Sequence, residues 1–308
     1  MSMNYCVWLA DYTETDIEPF AKFLDHEMPI PYGFVIPSNI LTSIYLDPEI
    51  QHQLIPIFES TNINIEEERE HVRKLVERII RNSKTPRGFF TSIQTAYEKL
   101  LEKEREYLKK ETHDLHKALH LMKHVYAPPA VRISFLPNSP FDSLATGEIS
   151  LEHTIVEQIV KYVDLHIGNA TPGKIPSMLV QRALYPQIVG SCETTNMKSN
   201  NNDQIVIHSY FGAKELEDAA DVYIVQKEGA QIIAKHSVEQ PFKYILKGTE
   251  YKKVNIHPQD ASREVMTDSQ IQAVTFLAKD FEKQVYFPQK ISFAFENGQL
   301  FVTKLRAL

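Results

Sequence analysis

A shortage of glycine is the feature that most restricts what this sequence can fold into. The chain has 308 residues, of which ten are glycine, about half of the roughly 7% that is average for proteins. No two glycines are spaced to form GxGxxG, and GxxxxGK[ST] does not occur. Both glycine-rich phosphate-binding loops are therefore excluded, and any bound phosphate must be held by side chains or by another kind of loop.

The composition is that of a globular protein, with 43% hydrophobic residues and a net charge of −7. A net acidic chain argues against general nucleic-acid binding, and no run of eighteen apolar residues could span a bilayer. The first residues lack the basic and apolar segments of a secretory signal. Cys6 and Cys192 are too few for a disulfide framework or a thiolate zinc site. We therefore expect a cytoplasmic protein with neither nucleic acid nor membrane as a partner, and a buried, structural Cys192.

Apolar residues spaced three and four apart predict a helical layer over about residues 64–126. The two stripes are Val72, Leu75, Val76, Ile79 and Ile80, then Ile93, Ala96, Tyr97, Leu100 and Leu101. The charged run from Glu102 to Lys110 is interpreted as a solvated extension of the second helix. These patterns favour a helical hairpin packed on another layer.

Short apolar runs predict strands near the start of the chain and from residue 130 onward. They are residues 5–9, 33–37, 130–135, 177–181, 187–189, 205–208, 222–225, 231–234, 291–296 and 300–303. Thr267 to Gln270 reads as a capping box that opens a helix, and Asn297-Gly298 is typical of a type I′ hairpin. We predict an α+β fold with N-terminal lobes over 1–195 and a strand-rich C-terminal lobe over 196–308.

Four histidines share one predicted helix face. His113, His116, His120 and His124 are three or four residues apart, and imidazoles at such spacings can chelate zinc or nickel. The alternative is a polar helix face that happens to use histidine. No distant ligand is identifiable in the sequence, so we favour the polar face and assign no metal ligand.

Several segments, in their order along the chain, resemble the N-terminal nucleotide-binding domain of phosphoenolpyruvate synthase and pyruvate phosphate dikinase. Residues 29–35 (PIPYGFV) resemble that family's VPxGFV segment, residues 130–134 (AVRIS) resemble AVRSS, and residues 178–181 (MLVQ) resemble VVVQ. Residues 291–306 are similar to the closing hairpin, IEWA…G.LYILQAR. The resemblance covers essentially the whole chain. It implies a two-lobed, ATP-grasp-like fold that binds ATP between lobes, with the helical region as an insertion.

The resemblance also implies site residues. Arg132 and Arg306 match arginines of the family that contact the ATP phosphates and act in catalysis, and a guanidinium offers phosphate oxygens a fixed fork of donors. The cofactor-binding residues that it implies are Arg132, Met178, Val180, Gln181, Lys304 and Arg306. Gln181 and its neighbours would lie along the adenine edge. On the residues alone, either arginine could instead form a surface or inter-lobe ion pair.

The sequence departs from the family where metal and phosphate are held. The stretch 15–20 has no lysine to match the family's phosphate-binding lysine, and Lys290 and Ser292 stand at positions of magnesium-binding acids. Lys304 replaces the glutamine of the QAR segment. A lysine cannot ligate a hard cation. We therefore expect ATP as the cofactor. Any Mg²⁺ bound with it would lack the acidic ligands that it has in the family.

The resemblance implies the ATP half of a phosphotransfer reaction. In the family, phosphate passes from ATP to a histidine of a separate domain, and none of the twelve histidines here has that domain's TGG..SH context. The expected partner is therefore a phosphohistidine domain in trans. The alternative is a degenerate, non-catalytic relative that binds nucleotide or acts as a regulatory or scaffolding protein. The final phosphate acceptor, the oligomeric state and the full length of the natural protein stay open.

Overall fold

The computed structural model describes residues 5–12, 29–60, 65–82, 88–111, 130–136, 143–166, 175–216 and 219–308. These residues form two compact units, the first from 5–12 and 32–183 and the second from 29–31 and 184–308. The chain changes unit between Ala183 and Leu184, earlier than the predicted boundary at 195/196. The reason is that the strand beginning at Ile188 pairs within the sheet of the second unit.

The first unit contains a five-stranded antiparallel sheet. Its strands are β1 (Val7–Trp8), β2 (Gly33–Ile36), β3 (Ala130–Phe135), β4 (Ser143–Thr146) and β5 (Met178–Arg182), in the order β1-β2-β5-β3-β4. Every neighbouring pair is antiparallel. The central strand β5 is buried along its whole length, so the segment resembling VVVQ forms the middle of this sheet.

Helices cover one face of that sheet. They are α1 (Ser38–Tyr45), α2 (Pro48–Ser60), α3 (Glu66–Asn82), α4 (Phe89–Glu111) and α5 (Gly147–His166). The predicted stripes are confirmed, since Val76, Ile80, Ile93 and Tyr97 are almost fully buried. The part of the predicted layer that carries His113, His116, His120 and His124 lies outside the described residues.

The sheet and helices of the first unit share one hydrophobic core. Strand residues Phe34, Ile133 and Val180 belong to it together with helix residues such as Leu41 and Ile155. Successive strand residues point to opposite faces. Their neighbours along the strands therefore lie on the face away from this core.

The second unit contains a six-stranded antiparallel sheet. Its strands are β6 (Ile188–Glu193), β7 (Gln204–Phe211), β8 (Asp221–Gln226), β9 (Gln231–His236), β12 (Gln289–Glu296) and β13 (Gln299–Ala307), in the order β13-β12-β6-β7-β8-β9. Asn297 and Gly298 both have positive φ, 52° and 84°, as the predicted type I′ turn between β12 and β13 requires.

The described part of the second unit also contains a two-stranded ribbon and two helices. The ribbon pairs β10 (Phe242–Lys247) with β11 (Glu250–Asn255), and the helices are α6 (Pro258–Ala261) and α7 (Asp268–Val285). Thr267 and Gln270 form the predicted capping box at the start of α7. The mixture of helices and antiparallel sheets confirms the predicted α+β class. Of the described helices, none is long and apolar enough to cross a membrane.

Candidate functional site

In the first unit, Arg132 and Gln181 lie side by side on the face of the sheet away from the helices. The two residues are direct partners between β3 and β5, and directly opposite residues of an antiparallel pair point to the same face. Gln181 is 4% exposed, whereas Arg132 is half-buried. The structure thus brings together one predicted phosphate contact and one predicted adenine contact.

Gly33 extends this row onto β2, where it pairs with Gln181. A Cβ atom at Gly33 would overlap the carbonyl oxygen of Val180 and touch the Gln181 side chain. The glycine of the segment resembling VPxGFV is therefore required for the close approach of β2 and β5.

Met178 and Val180 lie on the opposite face from Arg132 and Gln181. Both are 0% exposed and belong to the core shared with the helices. The structure therefore separates them from the polar row, because β5 alternates its side chains between the two faces. They support β5 from behind, and Gln181 is the residue of this strand on the polar face.

In the second unit, a polar row crosses four strands of the sheet. Lys304, Ser292, Ser191 and His208 are successive direct partners on β13, β12, β6 and β7. Arg306, Lys290 and Glu193 form the next row on the same face. The irregularity between β12 and β13 lies after Ser292, so Lys304 and Arg306 both remain on this face. We call these seven residues the polar face.

The cations of the polar face differ in whether they have an acidic partner. The Nζ atom of Lys290 lies 3.0 Å from Oε1 of Glu193, and both side chains are about one-fifth exposed. No hydrogen bond or ion pair joins the side chain of Lys304 or Arg306 to any other described residue. Their charges are therefore available to an anionic ligand, whereas that of Lys290 is compensated within the chain.

His208 is half-buried in the polar row. Burial lowers the pKa of His208 from its ordinary value of 6.5; Glu193 raises this pKa, and Lys290 lowers it. The ring is therefore neutral at pH 7 and can donate one hydrogen bond and accept another. His208 was not predicted as a site residue, although it lies at the end of the predicted strand 205–208, where period-two alternation could have indicated it.

The opposite face of this sheet packs against α7. Asp221 is fully buried there and accepts hydrogen bonds from the Tyr223 hydroxyl at 3.0 Å and from the backbone N–H groups of Val238 and Val265. Cys192 lies on the same side and is 0% exposed, and burial raises the pKa of its thiol. The predicted structural cysteine is therefore confirmed, and this face serves packing.

A buried charge cluster stands at the end of β5. Arg182 is 2% exposed, and its guanidinium lies 3.6 Å from the carboxylate of Glu104 on α4. The Tyr32 hydroxyl donates a hydrogen bond to the same carboxylate. The prediction that residues 102–110 are solvated is therefore wrong for Glu104, because this residue continues the buried stripe of α4 and meets a cation there.

The polar face does not fit a magnesium ion held by protein carboxylates. Its one carboxylate, Glu193, is engaged by Lys290, and the other groups there are cationic, hydroxyl or imidazole. Mg²⁺ requires several oxygen ligands, usually including carboxylates. Among the described residues, no cluster of three or more histidine, cysteine or acidic side chains is placed to hold a metal. The donor set fits the oxygens of a phosphorylated ligand better.

Comparisons with known proteins agree with the resemblance seen in the sequence. Residues 175–307 match the family described as pyruvate phosphate dikinase, AMP/ATP-binding domain. A probable phosphoenolpyruvate synthase of Methanocaldococcus jannaschii is 21% identical over 339 residues, which cover 100% of this chain and 27% of that protein. Another, of Archaeoglobus fulgidus, is 22% identical over 330 residues, covering 98% of this chain and 41% of that protein.

A solved structure of D-alanine–D-alanine ligase from Bacillus anthracis matches 64% of this chain and 48% of its own, with 10% sequence identity and a TM-score of 0.29. The sequence comparisons confirm the predicted resemblance of the chain to the N-terminal domain of phosphoenolpyruvate synthase and pyruvate phosphate dikinase. It spans about a quarter to two fifths of the length of the curated relatives it matches.

Proposed function

We propose that this chain binds ATP and carries out the ATP half of a phosphotransfer reaction, in which phosphate passes to a histidine on another chain or domain. The observation that carries the proposal is the pair Lys304 and Arg306 on the polar face. Both cations lack a partner among the described residues, and both lie in the segment that matches an AMP/ATP-binding domain. The compartment we propose is the reducing cytosol.

The chemistry of the polar face suits a polyphosphate. The Arg306 guanidinium can give two parallel hydrogen bonds to phosphate oxygens, and the Lys304 ammonium adds a compact charge. Ser292 and neutral His208 are further donors in the row that contains Lys304. In the transfer step, a partner's histidine nitrogen attacks phosphorus while the bond to the leaving phosphate oxygen breaks. Fixed cations stabilise the charge that develops on those oxygens.

The roles that the resemblance gives to Arg132 and Gln181 remain part of this proposal. Arg132 is proposed as a phosphate contact and Gln181 as an adenine contact. Met178 and Val180 are proposed to act through packing, because they are buried in the core behind β5.

Calorimetric titration with ATP tests the binding step. We expect Arg306→Ala and Lys304→Ala each to weaken ATP binding about tenfold, because each removes a charge-assisted contact to phosphate. Lys247→Ala, which removes an exposed lysine of the ribbon, is the matched control and should leave the affinity unchanged. Absence of heat with ATP, ADP and AMP, with and without Mg²⁺, would contradict the proposal.

The same titration, repeated with Mg²⁺ and with EDTA, tests whether ATP binding depends on magnesium. The polar face carries three cations and one carboxylate, so we expect ATP to bind at least as tightly in EDTA as with Mg²⁺. A strict requirement for Mg²⁺ would show that carboxylates outside the polar face hold a metal.

The alternative function is a non-catalytic relative that binds nucleotide and regulates or scaffolds a partner. One observation favours it: Lys290 occupies a position where the family has an acid, and its ammonium forms an ion pair with Glu193. Transfer of labelled phosphate from ATP to a separate phosphohistidine domain, lost in Arg132→Ala, would favour the phosphotransferase. ATP binding without transfer to that domain would favour the alternative.

A further inference from the structure

The second unit contains a cavity whose lining includes none of the polar-face residues. Its volume is about 550 Å³, and it is bounded by the end of β7, the ribbon β10–β11 and the segment that leads through α6 to α7. Pockets for small ligands have volumes of about 300–1,000 Å³. Phe211, Val254, Ile256 and Val265 provide an apolar part of its wall. The cavity is therefore suited in size and lining to a small molecule with an apolar body.

The walls of this cavity are held by hydrogen bonds between distant parts of the chain. The N–H of Ala213 donates to the carbonyl of Tyr244 at 2.7 Å, which fixes the ribbon to the end of β7. Gly212 allows this approach, since its φ is +88° and a Cβ there would overlap the Tyr244 carbonyl oxygen. Gln240, fully buried, accepts a hydrogen bond from the N–H of Phe211 at 2.9 Å. A cavity held in this way loses little freedom when a ligand binds.

The acidic residues of the lining lie beside cations of the chain. Asp260 lies 2.8 Å from the guanidinium of Arg263. Glu264 lies 2.8 Å from the ammonium of Lys235, which is shared with Asp268 at 2.5 Å. Lys243 also lines the cavity, and no ion pair joins it to another described residue. Lys243 is therefore the cation of the lining whose charge is left for a ligand.

His257 adds a donor to the same lining. Its Nδ1 atom accepts a hydrogen bond from the N–H of Gln259 at 3.4 Å, so the neutral ring carries its proton on Nε2. The Lys243 ammonium and the His257 ring thus offer donors in the cavity to a ligand with oxygen acceptors.

The ribbon face that carries Lys243 is mixed in charge. Lys247 and Lys252 share this face, and so does Glu250, which is directly opposite Lys247 and lies 3.8 Å from the ammonium of Lys252. Of these residues, Lys243 is the one that lines the cavity.

From these observations we propose that the cavity between the ribbon and α6 binds a small organic anion, whose carboxylate or phosphate group meets Lys243 and His257 while its apolar body packs on Phe211 and Val254. This site is separate from the proposed nucleotide contacts, because its lining shares no residue with the polar face. It goes beyond the proposed function by giving the chain a second ligand.

Binding of two probes to the full 308-residue chain tests the proposal: phenyl phosphate and benzoate. Each joins an aromatic ring to one of the two anionic groups, and the tighter probe identifies the anion that the site prefers. Benzyl alcohol supplies the ring without charge, and inorganic phosphate supplies the charge without the ring. We expect at least one aromatic anion to bind saturably, and both controls to bind at least about tenfold more weakly because each lacks one half of the contacts.

Two lysine variants localise the binding. Lys243→Met keeps the length of the side chain and removes the charge, and it should weaken the preferred aromatic anion about tenfold. Lys247→Met, on the same strand and face but outside the cavity lining, should stay within about twofold of the wild type because exposed charges are screened. Val254→Trp fills the cavity and should abolish binding. Unchanged melting temperatures of the lysine variants would show that they are folded.

Three results would overturn the proposal. They are no saturable binding of either aromatic anion at millimolar concentration, equal losses in Lys243→Met and Lys247→Met, and loss of binding in Arg306→Ala together with full competition by ATP. The last result would place the probe at the nucleotide site. Failure of ATP to bind would contradict the proposed function and would leave this test unaffected.

Discussion

The two units each bury a carboxylate on the helix-packed side of their sheet, but they satisfy it in different ways. In the first unit, Glu104 faces the Arg182 guanidinium at 3.6 Å and accepts a hydrogen bond from Tyr32. In the second unit, Asp221 accepts hydrogen bonds from one hydroxyl and two backbone N–H groups. One carboxylate is compensated by a cation and the other by neutral donors.

This difference helps to separate groups that serve folding from groups that serve binding. The carboxylates Glu104 and Asp221 on the helix-packed sides are compensated within the chain, as buried charges must be. On the polar face of the second unit, Lys304 and Arg306 have no partner among the described residues. We infer that the compensated charges on the helix-packed sides stabilise the fold, and that Lys304 and Arg306 bind a ligand.

The largest expected effect is the loss of the Glu104 carboxylate. Glu104→Ala leaves the Arg182 guanidinium buried without its acidic partner, and we expect the free energy of unfolding of the first unit to fall by about 3–5 kcal/mol. Trp8, the single tryptophan, lies in this unit. Its fluorescence during urea denaturation therefore measures the change.

The matched control is the ion pair of the polar face. Glu193→Ala removes the partner of a lysine that is about one-fifth exposed, and water can solvate that lysine. The expected loss is about 0–1 kcal/mol. Equal losses in Glu104→Ala and Glu193→Ala would contradict the distinction between the two pairs.

Glu104 also shows what the sequence could have revealed. The buried residues Ile93, Tyr97 and Leu100 are followed, at the same helical spacing, by Glu104, so its inward position was predictable from periodicity. Its partner was not, because Arg182 lies on a strand whose pairing with distant segments is set by the tertiary fold. Local patterns such as the capping box at Thr267 were predicted correctly for the opposite reason: each is complete within a few residues.

A second, smaller effect is expected at Asp221. Asp221→Asn replaces one acceptor oxygen with an NH₂ group that faces a donor, so at least one buried N–H or hydroxyl loses its partner. We expect the second unit to lose about 1–3 kcal/mol of unfolding free energy, measured by circular dichroism in urea. Asp280→Asn, which changes an exposed residue of α7, should cost no more than about 0.5 kcal/mol. If Asp221→Asn lowered the unfolding free energy as little as Asp280→Asn, the buried N–H and hydroxyl donors would not need the Asp221 carboxylate as their acceptor.

The faces of the strands set the limit of prediction at the candidate site. Gln181 and Val180 are adjacent in the sequence, yet only Gln181 shares a face with Arg132. Period-two alternation would have separated them, whereas the family resemblance groups them as one segment. The ribbon β10–β11 was missed because its lysines obscure the apolar alternation from which strands are predicted.

The smallest expected effect is the pH dependence that His208 gives to the second unit. Because burial holds the pKa of His208 below 6.5 in the folded chain, the unfolded chain binds more protons as the pH falls below that value. Stability is therefore lost from about pH 6.5 down to the folded pKa, and no further loss from this group follows below it. His208→Gln should remove this loss. The unfolding free energies of the wild type and the variant should therefore converge or cross as the pH falls from 7.5 to 5.

Urea denaturation at a series of pH values measures the difference, with His236→Gln on β9 as a control for the loss of a histidine as such. A difference between the wild type and His208→Gln that does not change with pH would show that the imidazole is not desolvated. ATP adds the opposite test, because a polyphosphate beside the ring favours the imidazolium. If the polar face holds phosphate, saturating ATP should raise the pKa of His208 and reduce the pH-dependent loss, which no purely structural role for this histidine would produce.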